Sequence, residues 1–166
     1  MKFAYNKSMK ELIIEGLSKA IQLDDEDFER ISCYKWYESD GWISRNTGFI
    51  QHPKVALANE VSYCYTLKYD HIDGDYFNNQ KKNLRPCSTQ ENGFNRRKTL
   101  GCSSIYKGVS WKRKPKVWEA YITAGSYKYL GRFQTQEEAA HCYNEYAKKL
   151  FGEFAKLNKR PDGTII

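Results

Sequence analysis

The chain has 166 residues, 40% hydrophobic and 28% charged, which suits one ordinary domain or two small ones and excludes a disordered chain. No apolar run is long enough to cross a bilayer, and the opening MKFAYNKSMKELII lacks the apolar core of a secretory signal, so a cytoplasmic protein with no membrane partner is expected. The formal charge of +7 is uneven: residues 1–92 carry 12 Lys and Arg against 14 Asp and Glu, residues 93–166 carry 15 against 6, and a basic C-terminal half points to a polyanionic partner.

Residues 11–14 and 20–23 read as short strands about a turn at Gly16. The run Asp24-Asp25-Glu26-Asp27 opens a helix, with carboxylates at its positive end, in preference to a metal cluster. Phe28 and Ile31, three apart, give that helix an apolar side. Residues 35–38 and 41–45 read as a hairpin turning at Ser39-Asp40-Gly41. Residues 47–59 give little signal, and His52 is assigned no role. Residues 61–69 alternate as a strand, with Val61, Tyr63, Tyr65 and Leu67 on one side, and lead into Asp70-His71. Five scattered cysteines (Cys33, Cys64, Cys87, Cys102, Cys142) with no CxxC pair argue against a disulfide framework or structural zinc; reduced, mostly buried thiols are expected.

After Asp70-His71 come a Gly/Asn-rich turn, then Asn83-Leu84-Arg85, then a helix opening at Ser88. Ser88 and Glu91 fit a Ser-x-x-Glu capping box. That cap puts Asn92 in the first turns, with Asn95 and Arg96 one turn further along the same side. The Asp70 carboxylate and the Asn92 amide oxygen are hard ligands of the kind Mg²⁺, or another divalent cation such as Mn²⁺, accepts. His71 is a suitable general base, and Asn83 can hold the loop that carries it. Together they suit phosphodiester hydrolysis. Arg85, Asn95, Arg96 and Arg97 are candidate phosphate contacts near the cut.

The pattern Asp70-His71-Ile72-Asp73-Gly74-Asp75, Asn78-Asn79, Asn83-Leu84-Arg85 and Gln90-Glu91-Asn92 resembles the HNH (ββα-metal) nucleases, in particular phage and intron-encoded homing endonucleases. The resemblance implies metal ligation by Asp70 and Asn92, a general base at His71, and a bracing asparagine at Asn83. Residues 11–45 also resemble the N-terminal part common in these phage enzymes. Tyr63-Cys64-Tyr65-Thr66-Leu67 departs from the Met-His-Arg-Leu type of strand that relatives often carry, so no phosphate contact is carried over there.

Residues 98–104 (KTLGCSS) read as a linker. Three aromatic and β-branched runs follow, at 106–111, 117–123 and 127–133, separated by the basic 112–116 loop and by Ala124-Gly125-Ser126. Thr135 and Glu138 announce a helix over 136–151 with an inward stripe of Ala139, Tyr143, Tyr146, Ala147 and Leu150. Residues 159–166 read as a loose tail. Alternation turns Trp118, Ala120 and Ile122 toward the helix and Glu119, Tyr121 and Thr123 outward. Lys107, Lys112, Arg113, Lys114, Lys116 and Arg132 join that outer face and its loops, a set able to hold phosphates while other side chains reach bases.

Residues 105–158 resemble the plant ethylene-response-factor (APETALA-type) DNA-binding domain through Tyr106-Lys107-Gly108-Val109, Trp118-Glu119-Ala120, Leu130-Gly131-Arg132-Phe133, Glu138-Ala139-Ala140, Tyr143, Gly152 and Leu157-Asn158. Lys107 and Ser110 stand where the plant domains carry arginine, so base preference is not carried over. The expected fold is α+β: a ββα-metal unit with a small β-rich N-terminal part over 1–97, a linker over 98–104, and a three-stranded antiparallel sheet on one helix over 105–158. The expected function is site-directed cleavage of double-stranded DNA, with no small-molecule substrate and the oligomeric state open, in a bacterial host carrying a phage-encoded enzyme. A DNA-binding regulator that has lost catalysis is the alternative.

Overall fold

The computed structural model describes residues 8–39, 41–50, 53–95 and 101–166. The fold is mixed α+β, with several small antiparallel sheets in two units, Met1–Thr89 and Gln90–Ile166.

In the first unit β1 (Met9–Leu12) pairs antiparallel with β2 (Ile21–Asp24), and α1 (Asp25–Ser32) follows without a break. Asp25, Glu26 and Asp27 occupy the first turn of α1, where the helix dipole favours them. Asp24 at the N-cap makes no capping bond; its carboxylate accepts from the Lys81 backbone N–H at 2.9 Å instead. A sheet β3-β4-β5 comes next, from β3 (Tyr37–Ser39), β4 (Trp42–Asn46) and β5 (Lys54–Ala56), then α2 (Leu57–Val61). The first two strands form the expected hairpin; the third strand and α2 come from residues that gave little signal.

The strand expected over 61–69 is overturned. Val61 ends α2, residues 62–67 turn with Tyr63 at φ 51°, and only β6 (Lys68–His71) is extended. Tyr63, Tyr65 and Leu67 produced the alternation, yet all three are exposed. The tyrosines serve local contacts: the Arg30 guanidinium lies 4.0 Å from the Tyr63 ring centre, and Tyr65 donates to Glu60. Two-residue periodicity counts apolar faces, and an aromatic ring stacked on a surface arginine mimics a buried one.

β6 pairs antiparallel with β7 (Leu84–Cys87). The connection between them is anchored rather than free. Phe77 is buried in the core with Ile21, Leu23, Ile31, Trp36, Ile43, Leu57 and Val61. On either side of it the backbone bonds to β2, with Gln22 N–H donating to Phe77 O at 2.8 Å and Asn79 N–H to Gln22 O at 2.9 Å. One buried ring and two backbone bonds thus fix the loop that follows His71.

In the second unit α3 (Thr89–Phe94) starts at the unit boundary, and Phe94 stacks on Phe151 with ring centres 3.9 Å apart. β8 (Val109–Lys112), β9 (Val117–Ala124) and β10 (Ser126–Phe133) form an antiparallel sheet in the order β10-β9-β8, and α4 (Gln136–Phe151) packs across it. Thr135 and Glu138 form the expected capping box.

Three expectations for this unit are corrected. Leu150 is 47% exposed, so the inward stripe ends with Ala147 and Phe151 instead. Residues 159–166 are not loose: Arg160 N–H donates to Thr164 O at 2.7 Å, and Asn144, fully buried, donates to the carbonyls of Asn158 and Ile166 at 3.0 Å each. A buried amide needs partners, and the tail supplies one. None of the five cysteines is buried; Cys33 and Cys102 are exposed and the rest intermediate. Among the described residues no helix is long and apolar enough to cross a membrane.

Candidate active site

β6 and β7 lie in a register that sets Asp70 opposite Arg85 and His71 opposite Leu84. Arg85 Nε and Nη2 donate to Asp70 Oδ2 at 2.9 and 2.6 Å, and both side chains are almost wholly shielded from water. A desolvated, charge-assisted contact of this kind fixes the carboxylate in one orientation. Arg85, expected as a phosphate contact, is also the partner of Asp70.

His71 is buried, with Nε2 3.1 Å from Oδ1 of Asn79. Asn79 Nδ2 donates to Tyr76 O at 2.9 Å, which orients the amide so that its oxygen faces the ring. In the neutral imidazole the proton then sits on Nε2, leaving Nδ1 as the acceptor. Burial pushes the His71 pKa below the ordinary histidine value, against the upward pull of Asn79 and of the carboxylates of Asp73, Asp70 and Asp75.

Asn83, also buried, spans the loop. Its Oδ1 accepts from Asp73 N–H at 3.1 Å, and its Nδ2 donates to Asp73 Oδ1 at 3.0 Å and to Asn78 O at 2.7 Å. Burial alone would raise the Asp73 carboxyl; hydrogen bonds from Asp75 N–H, Asn78 and Asn83 outweigh it and hold the group below the usual carboxylate value.

Asn92 is half-buried on α3, in the second unit, and Asn95, just beyond α3, is buried. Arg96 and Arg97 lie outside the described residues. Asp70 and Asn92, the expected metal ligands, lie in different units, and each offers a hard oxygen of the kind a divalent cation accepts. A second group, Asp24, Glu26 and Asp27, brings ligand atoms within 4.8 Å of one another. Two cationic side chains already engage it: Lys81 Nζ lies 3.0 Å from Asp27 Oδ2 and also bonds Glu26, while Arg30 Nη2 lies 2.6 Å from Asp27 Oδ1. That group stitches α1 to the residues leading into β7.

The basic face was expected on the second unit. Ala120 and Ile122 of β9 are buried with α4 residues, so alternation turns Glu119, Tyr121 and Thr123 to the opposite face. Tyr121 stacks on Tyr127 at 5.5 Å. Glu119 of β9 lies opposite Ser110 of β8 on one side and Arg132 of β10 on the other. Lys112 and Lys114 are exposed on the strand end and the following turn. Lys107 is partly committed elsewhere, its Nζ donating to Phe94 O at 2.7 Å. Two roles escaped the sequence: Asn79 as partner of His71, and Arg85 as partner of Asp70. Asn79 stood in the motif; only the antiparallel register pairs 70 with 85.

No family model matches the chain. A protein of Acanthamoeba polyphaga mimivirus described as an uncharacterized HNH endonuclease is 34% identical over 133 residues, covering 78% of this chain and 69% of its own length. Protein 3.8 of Escherichia phage T7 is 30% identical over 88 residues, covering 53% of this chain and 73% of its own. The AP2-like ethylene-responsive transcription factor ANT of Arabidopsis thaliana is 31% identical over 121 residues, covering 67% of this chain and 22% of its own. With the buried Asp70-His71 pair in place, the extent of the first of these likenesses makes this chain a member of the HNH endonuclease family.

Proposed function

We propose that the chain is a site-directed, homing-type endonuclease that hydrolyses phosphodiester bonds of double-stranded DNA to 3′-hydroxyl and 5′-phosphate ends. The observation that carries this reading is the buried Asp70-His71 pair, each side chain held by its own partner. Asp70 and Asn92 would hold one divalent cation, Mg²⁺ or Mn²⁺, as in a ββα-metal arrangement. Such an ion, when bound, supplies a Lewis acid and positive charge at the phosphate.

The chain's own residues do the rest. Burial keeps His71 neutral at physiological pH, so Nδ1 is ready to take a proton from the attacking water. Asn79 holds the ring and its tautomer, Arg85 holds the Asp70 carboxylate, and Asn83 fixes the loop between them. Residues 1–97 form the catalytic part by this chemistry, residues 98–104 a linker, and residues 105–158 the part that grips the duplex. Lys107, Ser110, Lys112, Lys114, Tyr121, Thr123 and Arg132 face or flank the DNA there, and Arg85, Asn95, Arg96 and Arg97 contact phosphate nearer the cut. The likeness to a plant transcription factor favours the same assignment of the sheet.

That likeness also supports a second reading, a DNA-binding regulator without catalysis. Plasmid nicking with Mg²⁺ separates the two. The nuclease reading predicts metal-dependent nicking that falls by about 10²–10⁴ in His71→Ala. Equal inertness of both proteins, with DNA binding intact, would leave only the regulator.

A further inference from the structure

Glu119 is the sole acidic residue in strands β8–β10. It sits mid-sheet in the row Ser110–Glu119–Arg132, on the face turned away from α4. Its side chain is only 10% exposed, whereas those of Lys112 and Arg132 are 50% and 58% exposed. Lys112 Nζ lies 3.5 Å from Oε2, and Arg132 meets Oε1 through Nε alone, at 3.1 Å. Among the described residues no hydrogen bond or ion pair engages the two terminal nitrogens of Arg132.

A carboxylate on a DNA-facing surface repels phosphate, and an exposed ion pair joining two strands is worth little by itself. What this pair does is fix a plane. With Nε tied to a buried carboxylate, the guanidinium loses its swivel and keeps the Nη1/Nη2 fork available. That fork matches O6 and N7 of guanine, the commonest specific contact in the major groove. The backbone supports the aim. β10 slips register between Tyr129 and Gly131, immediately before Arg132, and such irregularities redirect the side chains that follow.

We propose that Arg132 reads a guanine in the bound site and that Glu119 is its positioning residue. This rests on the reading of the sheet as the DNA-gripping face.

The test uses the full chain in EDTA, so that nothing is cut. Sites are selected from random duplex DNA, and each guanine of the winning site is replaced singly by 7-deazaguanine. One guanine should matter: its replacement weakens wild-type binding about tenfold or more and leaves Arg132→Lys unaffected. Arg132→Lys keeps the charge and loses the fork, so it should lose more affinity for the selected site than for random DNA, with little change in salt slope. Glu119→Gln loses discrimination at that same position and no other. Thermal unfolding of both variants checks that the sheet is intact.

Three outcomes overturn the proposal. One is Arg132→Lys matching the wild type at every guanine, and another is no guanine responding. The third is Arg132→Ala weakening all sequences equally and flattening the salt slope by about 1, the mark of a phosphate contact. A wild-type chain that binds no duplex at all overturns the DNA reading together with this one; binding without a role for Arg132 overturns this one alone.

Discussion

Arg85 holds the most exposed consequence at the scale of single residues. It is the hydrogen-bonded counter-ion of a buried carboxylate, and removing one member of such a pair strands the other. Arg85→Met should destabilise the protein by about 3–5 kcal/mol in urea unfolding, whereas a surface phosphate contact would cost almost nothing. His71 gives a second test. Its pKa is lowered by burial, so the unfolded chain takes up the proton at higher pH than the folded one. Stability attributable to this group is therefore complete above the unfolded value of 6.5 and declines as pH falls below it toward the folded pKa. An NMR titration of the metal-free protein should place the His71 midpoint below 6.5; a midpoint above it would show the ring solvated or ion-paired. Asp70, His71 and Asn83 could be picked out by residue type and spacing. The partners of the first two could not, because Asn79 reaches His71 through a loop pinned by Phe77, and Arg85 reaches Asp70 through strand register.

Secondary-structure elements were legible where local chemistry is self-contained. α4 begins at its Thr135–Glu138 box as read, since that signal lies within four residues. Thr135→Ala should cost about 1 kcal/mol, measurable as a lowered unfolding midpoint. The false strand at 61–69 and the supposedly loose tail failed for the opposite reason. In each case the decisive partner is distant in sequence: Arg30 for Tyr63, Asn144 for the carbonyl of Ile166. Gly108 illustrates a constraint visible only in packing. It has φ +70°, and a Cβ there would lie 2.1 Å from the Tyr143 ring and 2.5 Å from the Tyr121 carbonyl. Gly108→Ala should destabilise the sheet–helix packing by more than about 2 kcal/mol, because backbone and ring cannot both move aside. A variant as stable as the wild type in thermal unfolding would contradict that packing.

At the scale of the whole molecule, charge and family agree on a nucleic-acid enzyme. The positive charge is concentrated in residues 93–166, and the chain belongs to the HNH endonucleases. If about six phosphates are gripped, log K should fall with log salt at a slope near −5, read from binding at several salt concentrations. The charge and composition change along the chain gave the expectation of two parts joined over 98–104, whereas the compact units divide between Thr89 and Gln90. The placement of α3 was not legible there: it was expected with the nuclease part, yet its Phe94 stacks on Phe151 within the second unit. Cleavage itself is the most direct test. End-mapping on linear DNA, with and without Mg²⁺, should find discrete cuts bearing ligatable 3′-hydroxyl and 5′-phosphate ends. Those cuts should require the metal and vanish in His71→Ala. Cuts that persist in the variant, or a wild-type protein that binds DNA and never cuts it, would contradict the account.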